Sequence, residues 1–150
     1  MNEYQFGLKF EVRDYECDLQ GIVNNAVYQH YLEHTRHVFL RHNGVDFASL
    51  AKDGINLVAI RIEIDYLYPL RSADQFWVGL NLGRVSRLRF GFQQDIYRLP
   101  DSKPIVKARV ICTSVNDTGR PYLSKKLDEL MARLSQQPAA NDPTSKLEGE

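Results

Sequence analysis

Apolar and polar residues alternate at the start of the chain, where Phe6, Leu8, Phe10 and Val12 fall at every second position. Successive side chains of a strand point to opposite faces, so this spacing predicts a first strand over residues 4–13 with one face turned inward. Residues 14–23 then carry turn chemistry around Gly21, and the period changes. From Asn24 onward Val27, Tyr28, Tyr31, Leu32, Thr35, Val38 and Phe39 recur at helical spacing. Asn24 or Asn25 can cap such a helix by accepting from a free backbone N–H, and Asn43-Gly44 marks its end.

A short helical connector near residues 46–52 leads into strands. In NLVAIRIEIDYLYPL, Val58, Ile60, Ile62, Ile64 and Tyr66 alternate with Ala59, Arg61, Glu63 and Asp65, the pattern of a half-buried strand stopped by Pro69. Phe76, Val78, Leu80 and Leu82 mark the next strand. RLRFGFQQDIYRL and KPIVKARVICTSV supply two more, separated by Pro100-Asp101-Ser102, and NDTGRP turns the chain toward a helical piece over residues 123–134. The polar, proline-containing SQQPAANDPTSKLEGE reads as a disordered tail, so the expected division is a folded body over 1–134 and a tail over 135–150.

Hairpin-length links between the later strands imply an antiparallel sheet. One long apolar-striped helix must bury its face, and the sheet is its available partner. The expectation is an α+β fold, with about five antiparallel strands wrapped around one long helix. Open sheet edges of this kind invite pairing into dimers.

Composition narrows the class of protein without naming a chemistry. A chain of 150 residues, 43% hydrophobic and 25% charged, is long enough for one soluble globular domain with a real core. Its 19 Lys and Arg balance 19 Asp and Glu, so no net charge draws it to nucleic acid or to an anionic membrane. MNEYQFGLKF lacks a cationic region followed by an apolar run, and no stretch is long and apolar enough to span a bilayer. Two cysteines, Cys17 and Cys112, make no disulfide framework, so a reducing, cytoplasmic setting is expected. Cys17 beside Asp18 invites thought of a nucleophile, but a small half-buried side chain is the plainer reading of both cysteines.

Two motifs carry candidate chemistry. In QHYLEHTRH, His30, Glu33 and His34 have the H-x-x-E-H spacing of a zinc-peptidase helix. His30 and His34 share one helix face, so pairwise metal binding is sterically open. No third ligand is marked downstream, however, and the only other histidines are His37 and His42. A zinc hydrolase is therefore a remote alternative, and neither metal nor cofactor is expected.

The second motif is Asp18, on a glycine-containing loop just before a helix N-terminus. The first backbone N–H groups of a helix lack intrahelical partners and carry partial positive charge, so they can hold a developing oxyanion. A carboxylate at that place can attack a carbonyl or deprotonate the water that does. A plain turn or capping aspartate is the competing reading, and Asn25 is equally good as a capping side chain.

VRDYECDLQGIVNNAVYQHYLEHTRHVFL, together with DYLYPLRSADQFWV, resembles the hot-dog-fold thioesterases of the 4-hydroxybenzoyl-CoA thioesterase type, closest in look to plant plastid acyl-lipid thioesterases and their bacterial relatives. The resemblance implies a hot-dog fold, metal-free hydrolysis of an acyl-CoA or acyl-ACP thioester to free acid and thiol, and a homodimer or homotetramer. It carries the carboxylate onto Asp18 and the polarising backbone N–H onto Asn25, with Gly21 letting the loop approach the substrate. Glu33 is a supporting helix carboxylate, or else a surface partner of Arg36 or His37. Substrate contacts fall on Tyr28 and on Ser86, Arg87 and Arg89 of GRVSRLRF. Arg84, Arg87, Lys107 and Arg109 are candidates for the phosphates of the thiol arm, and Tyr31, Phe39, Tyr66 and Phe90 for acyl-pocket walls. The same body can also serve as a non-catalytic acyl-thioester binding module, since fold does not fix function.

Overall fold

The computed structural model describes residues 3–135. Its elements run β1 (Phe6–Glu11), α1 (Asn25–His42), α2 (Phe47–Lys52), β2 (Asn56–Tyr66), β3 (Gln75–Arg84), β4 (Arg89–Leu99), β5 (Lys103–Val115) and α3 (Lys125–Leu134). The five strands form one antiparallel sheet in the order β1-β3-β4-β5-β2, with α1 packed across its inner face. This is the α+β arrangement expected from the pattern, and it is the hot-dog fold that the resemblance implies. The disordered tail expected over 135–150 lies, apart from Ser135, outside the described residues.

Alternation explains most of the core. Phe76, Val78, Leu80 and Leu82 of β3 turn inward and are buried, beside Phe92 and Ile96 of β4 and Val106 and Val110 of β5. Against this face α1 lays Tyr28, Tyr31, Leu32, Phe39 and Leu40. The near half of the core joins Tyr28, Tyr31 and Leu32 to Phe76, Val78 and Ile96, and the far half joins Phe39 and Leu40 to Leu80, Leu82, Phe92 and the apolar face of α3.

Two features depart from simple alternation. On the outer face, Tyr4, Trp77 and Tyr97 form a second buried cluster, with Tyr4 and Trp77 rings 5.2 Å apart. The Trp77 indole lies so close over β1 that a Cβ at Gly7 would meet it at 1.9 Å, which accounts for glycine there. The other departure is in β2, whose pairing with β5 shifts between Ala59 and Arg61. Ile60 is thus extra in the ladder, and the strict alternation of Val58, Ile60, Ile62, Ile64 and Tyr66 is broken. A bulge of this kind reverses which residues share a face on either side of it. Instead of a half-buried strand, β2 is an edge with Val58, Ile60, Ile62 and Tyr66 37%, 45%, 40% and 46% exposed.

Candidate active site

Asn24 stands at the N-cap of α1, where its side-chain oxygen accepts from the Ala26 N–H at 2.9 Å and its carbonyl from the Val27 N–H at 2.9 Å. The Asn25 N–H, which comes just before these two satisfied donors, finds no acceptor among the described residues. The capping side chain is therefore Asn24, and Asn25 contributes an unpaired donor at the positive end of an 18-residue helix.

Asp18 sits on the turn that leads into this helix. Cys17 and Val23 bridge to each other, and between them the Asp18 N–H donates to the Ile22 carbonyl at 2.9 Å and the Gly21 N–H to the Asp18 carbonyl at 3.0 Å. Closing so tight a turn requires a left-handed residue, and Gly21 supplies it with φ +79°. One carboxylate oxygen of Asp18 accepts from the Gln20 N–H at 2.8 Å, and the side chain is exposed. That single local hydrogen bond orients the group while leaving it open to a substrate.

The turn is anchored on both sides. Glu16 accepts from the Arg13 N–H and from the Tyr31 hydroxyl, each at 2.8 Å, while its carbonyl accepts from the Asn24 N–H at 3.0 Å. Burial, with Glu16 as second cause, pushes the Tyr31 hydroxyl well above the ordinary tyrosine range, so it stays a donor. On the other side the Val23 N–H donates to the Leu70 carbonyl at 2.9 Å, the Leu70 N–H donates to the Tyr28 hydroxyl at 2.9 Å, and Ile22 bridges to Arg71. Arg71 and Asp74 close their own turn, and Ser72 hydrogen-bonds Asp14. These contacts explain why two distant sequence segments make one pattern: the second is the wall against which the Asp18 turn is built.

The other candidate residues separate into three places. Tyr66 reaches the mouth, its hydroxyl donating to the Asn25 carbonyl at 3.3 Å. Tyr28 is buried, and its hydroxyl accepts from the Leu70 N–H. Burial, reinforced by Asp14, Asp18 and Glu16, raises the Cys17 thiol above its ordinary value, which keeps it protonated and unsuited to nucleophilic attack. Glu33 and His37 line a cavity on the β2 side of α1, whereas His30 and His34 line a groove beside β1. The H-x-x-E-H residues are thus split between two sides of one helix, and among the described residues no group of three or more His, Cys, Asp or Glu is placed to hold a metal.

Ser86 and Arg87 lie in the β3–β4 hairpin and Arg89 begins β4. The Asp18 turn adjoins the opposite end of β3, so the ten-residue strand holds the two places about 30 Å apart in one chain. Arg84 is engaged by Asp128 of α3. Arg36, read from the sequence as a surface partner for Glu33, is instead buried at 9% exposure and bonded to Gln94. A signal for this was present, because Arg36 falls on the stripe of Leu32 and Leu40, four residues from each.

Fold and helix mouth together define a hot-dog protein of the thioesterase kind. The sequence model of the thioesterase-like superfamily matches residues 12–141, and the chain belongs to that superfamily. It is similar to the acyl-acyl carrier protein thioesterase ATL3, chloroplastic, of Arabidopsis thaliana, at 38% identity over 114 residues, 76% of this chain and 60% of that one. The chain therefore spans about three fifths of the length of that relative. Among solved structures it resembles a protein of Aquifex aeolicus at 30% identity and TM-score 0.78, covering 84% of this chain and 98% of that one. It also shares its fold with Slr0204, a 1,4-dihydroxy-2-naphthoyl-CoA thioesterase from Synechocystis, at 16% identity and TM-score 0.82, covering 89% and 98%. Among the described residues no helix is long and apolar enough to cross a membrane.

Proposed function

We propose that this protein is an acyl thioesterase that hydrolyses an acyl-CoA or acyl-ACP thioester to a free acid and a thiol. The observation that carries the proposal is the unpaired Asn25 N–H at the mouth of α1, beside a turn that presents the exposed Asp18 carboxylate. In this reading the Asn25 N–H donates to the thioester oxygen and strengthens that bond as the oxygen becomes an anion, which is the differential stabilisation that lowers a barrier. Asp18 either takes a proton from the attacking water or attacks the carbonyl itself. In the first case the tetrahedral intermediate collapses with loss of the thiolate. In the second the thiolate leaves a mixed anhydride on Asp18, which water then cleaves. Gly21 shapes the turn for this approach, and Glu33 has at most a supporting role as a helix carboxylate. The thioesterase names of the relatives support the reading.

The exposed apolar edge of β2 supports a homodimer built through that strand. A two-fold axis across two β2 edges reverses strand direction, so the β3–β4 hairpin of one chain falls at the same end as the α1 mouth of its partner. Ser86, Arg87 and Arg89 would then serve the partner's site, contacting the thiol arm. Ile62→Glu places a charge in this edge and is expected to give a monomer by analytical ultracentrifugation where the wild type sediments as a dimer or tetramer. A wild type that is monomeric at micromolar concentration removes the dimer.

The direct test is thiol release by wild type and Asp18→Asn on CoA and ACP thioesters, with and without chelator. A rate lower by roughly 10²–10⁴ in the variant is expected, the usual range for a positioned acid–base group. A loss below tenfold takes Asp18 out of the chemistry. No turnover on any thioester favours the binding module, and chelator-sensitive turnover restores the histidine motif.

A further inference from the structure

An oxyanion accepts more than one hydrogen bond, and a single backbone N–H fills only part of its capacity. At the head of α1 the Ala26 and Val27 N–H groups are spent on Asn24, while the Asn25 N–H stays free. A second donor would have to come from a side chain that reaches Asn25. Among the described residues that side chain is Tyr66, the last residue of β2, whose hydroxyl donates to the Asn25 carbonyl at 3.3 Å. The carbonyl oxygen and the nitrogen of one residue are three covalent bonds apart, so the phenol oxygen stands within about 7 Å of the Asn25 nitrogen. A thioester oxygen accepting from that nitrogen at about 3 Å is then within a short swing of the phenol.

Three features leave this hydroxyl ready to change partners. Its bond of 3.3 Å is long for a hydroxyl donor, whose usual distance to oxygen is ~2.7–2.8 Å. The Asn25 carbonyl stands in the first turn of α1 and has the backbone N–H four residues on as its helical partner, so it loses little when the hydroxyl departs. The Tyr66 ring is 46% exposed and rests edge-on against the Tyr28 ring at 5.6 Å. Tyr28 is buried and accepts from the Leu70 N–H, which makes it a fixed support for a ring that can turn. The neighbouring exposed residues of the same strand, Val58, Ile60 and Ile62, are aliphatic, so a sheet edge by itself calls for no hydroxyl here.

We propose that Tyr66 is a catalytic residue, the second donor to the oxyanion: its hydroxyl leaves the Asn25 carbonyl and donates to the thioester oxygen as that oxygen gains charge. This rests on the thioesterase reading. The phenol keeps its proton throughout. Its bond strengthens as the carbon–oxygen double bond opens to an alkoxide under attack, and relaxes when the carbonyl re-forms with departure of the thiolate. An interaction that is strongest at that stage acts on kcat and leaves KM nearly untouched. A tyrosine that served only as a wall of the site or as part of the β2 edge would behave differently, because its ring and not its hydroxyl would matter.

The test measures kcat and KM for thiol release from acyl-CoA and acyl-ACP thioesters by wild type, Tyr66→Phe and Tyr66→Leu. Phenylalanine keeps the ring against Tyr28 and removes the donor, and leucine removes both. Melting curves and sedimentation check that fold and oligomeric state are kept, and Tyr66→Phe should match the wild type in each. Its kcat should fall by roughly 10²-fold, the loss expected for one oxyanion donor, with KM little changed. Tyr66→Leu should be no slower than Tyr66→Phe by more than a small factor, since the hydroxyl carries the effect. A loss below about tenfold in Tyr66→Phe overturns the assignment, because one missing oxyanion donor costs more than that. So does a loss that appears as a raised KM at unchanged kcat, or one confined to Tyr66→Leu. An active wild type beside an equally active Tyr66→Phe removes Tyr66 alone. A wild type inert toward every thioester ends the thioesterase reading and the Tyr66 role with it.

Discussion

Both halves of α1 bury apolar side chains, but they differ in what is added to that burial. Around its first turns, where Tyr28, Tyr31 and Leu32 are buried, hydrogen bonds tie the helix to the loops beside it: Asn24 caps the helix, Tyr28 accepts from Leu70, and Tyr31 donates to Glu16. Around its last turns, Phe39 and Leu40 are buried among Leu80, Leu82, Phe92 and the apolar face of α3. Hydrogen bonds fix direction and can leave one donor, the Asn25 N–H, deliberately unpaired. Apolar burial supplies most of the free energy but positions nothing to a fraction of an ångström. Both ends of the helix are anchored by burial, and the first turns carry the hydrogen bonds that fix the Asp18 turn beside them.

Phe39→Ala breaks the comparison from the last turns. Deleting so large a buried side chain is expected to cost about 3–5 kcal/mol of stability in chemical denaturation, while the folded fraction keeps its turnover per molecule. Loss of turnover in protein shown to be folded would mean that the two ends are not separable. Tyr31→Phe tests the other end. Removing one buried hydrogen bond should lower stability by about 1 kcal/mol, with kcat down by about tenfold and KM little changed, because the Asp18 turn loses its tie to α1. An unchanged kcat would show that the contacts of Glu16 with Arg13 and Asn24 hold the turn without Tyr31.

The smallest expected effect lies between the two halves, at His37. Burial lowers its proton affinity below the ordinary histidine value, with the nearby Glu33 opposing and Arg36 reinforcing the shift. The unfolded chain therefore takes up a proton at a higher pH than the folded one. The contribution of neutral His37 is fully present above about pH 6.5 and is lost as pH falls through the lower folded value. Melting temperature should decline across that interval in the wild type and decline less in His37→Gln. Identical slopes would remove His37 as a source of acid sensitivity.

Much of this was legible in the residue pattern, and the failures have particular causes. Period-two alternation located β1 and β3, and the change to period 3.6 located α1 with its cap within one residue. Alternation misread β2, because a bulge at Ile60 cannot be seen in an unbroken run of β-formers and an edge strand has no second neighbour to bury it. It also missed the outer cluster of Tyr4, Trp77 and Tyr97, since Tyr4 lies in sequence far from the strands it covers. The turn that carries Asp18 and Gly21 and the free N–H of Asn25 were legible because their geometry is local, set by one turn and one helix terminus. Arg36 was not, because a charged residue on a helix is ordinarily solvated, and only the packing of β4 and β5 decides that this one is enclosed.

The sequence by itself determined the periods, the turn at Gly21, the helix start and the carboxylate beside it, since each depends on residues a few positions apart. Tertiary structure decided which groups share a cavity, which strand is left as an edge, and which donors stay unpaired. Those outcomes depend on contacts between residues such as Arg36 and Gln94, 58 positions apart, and no local preference records what will arrive from the far end of a chain.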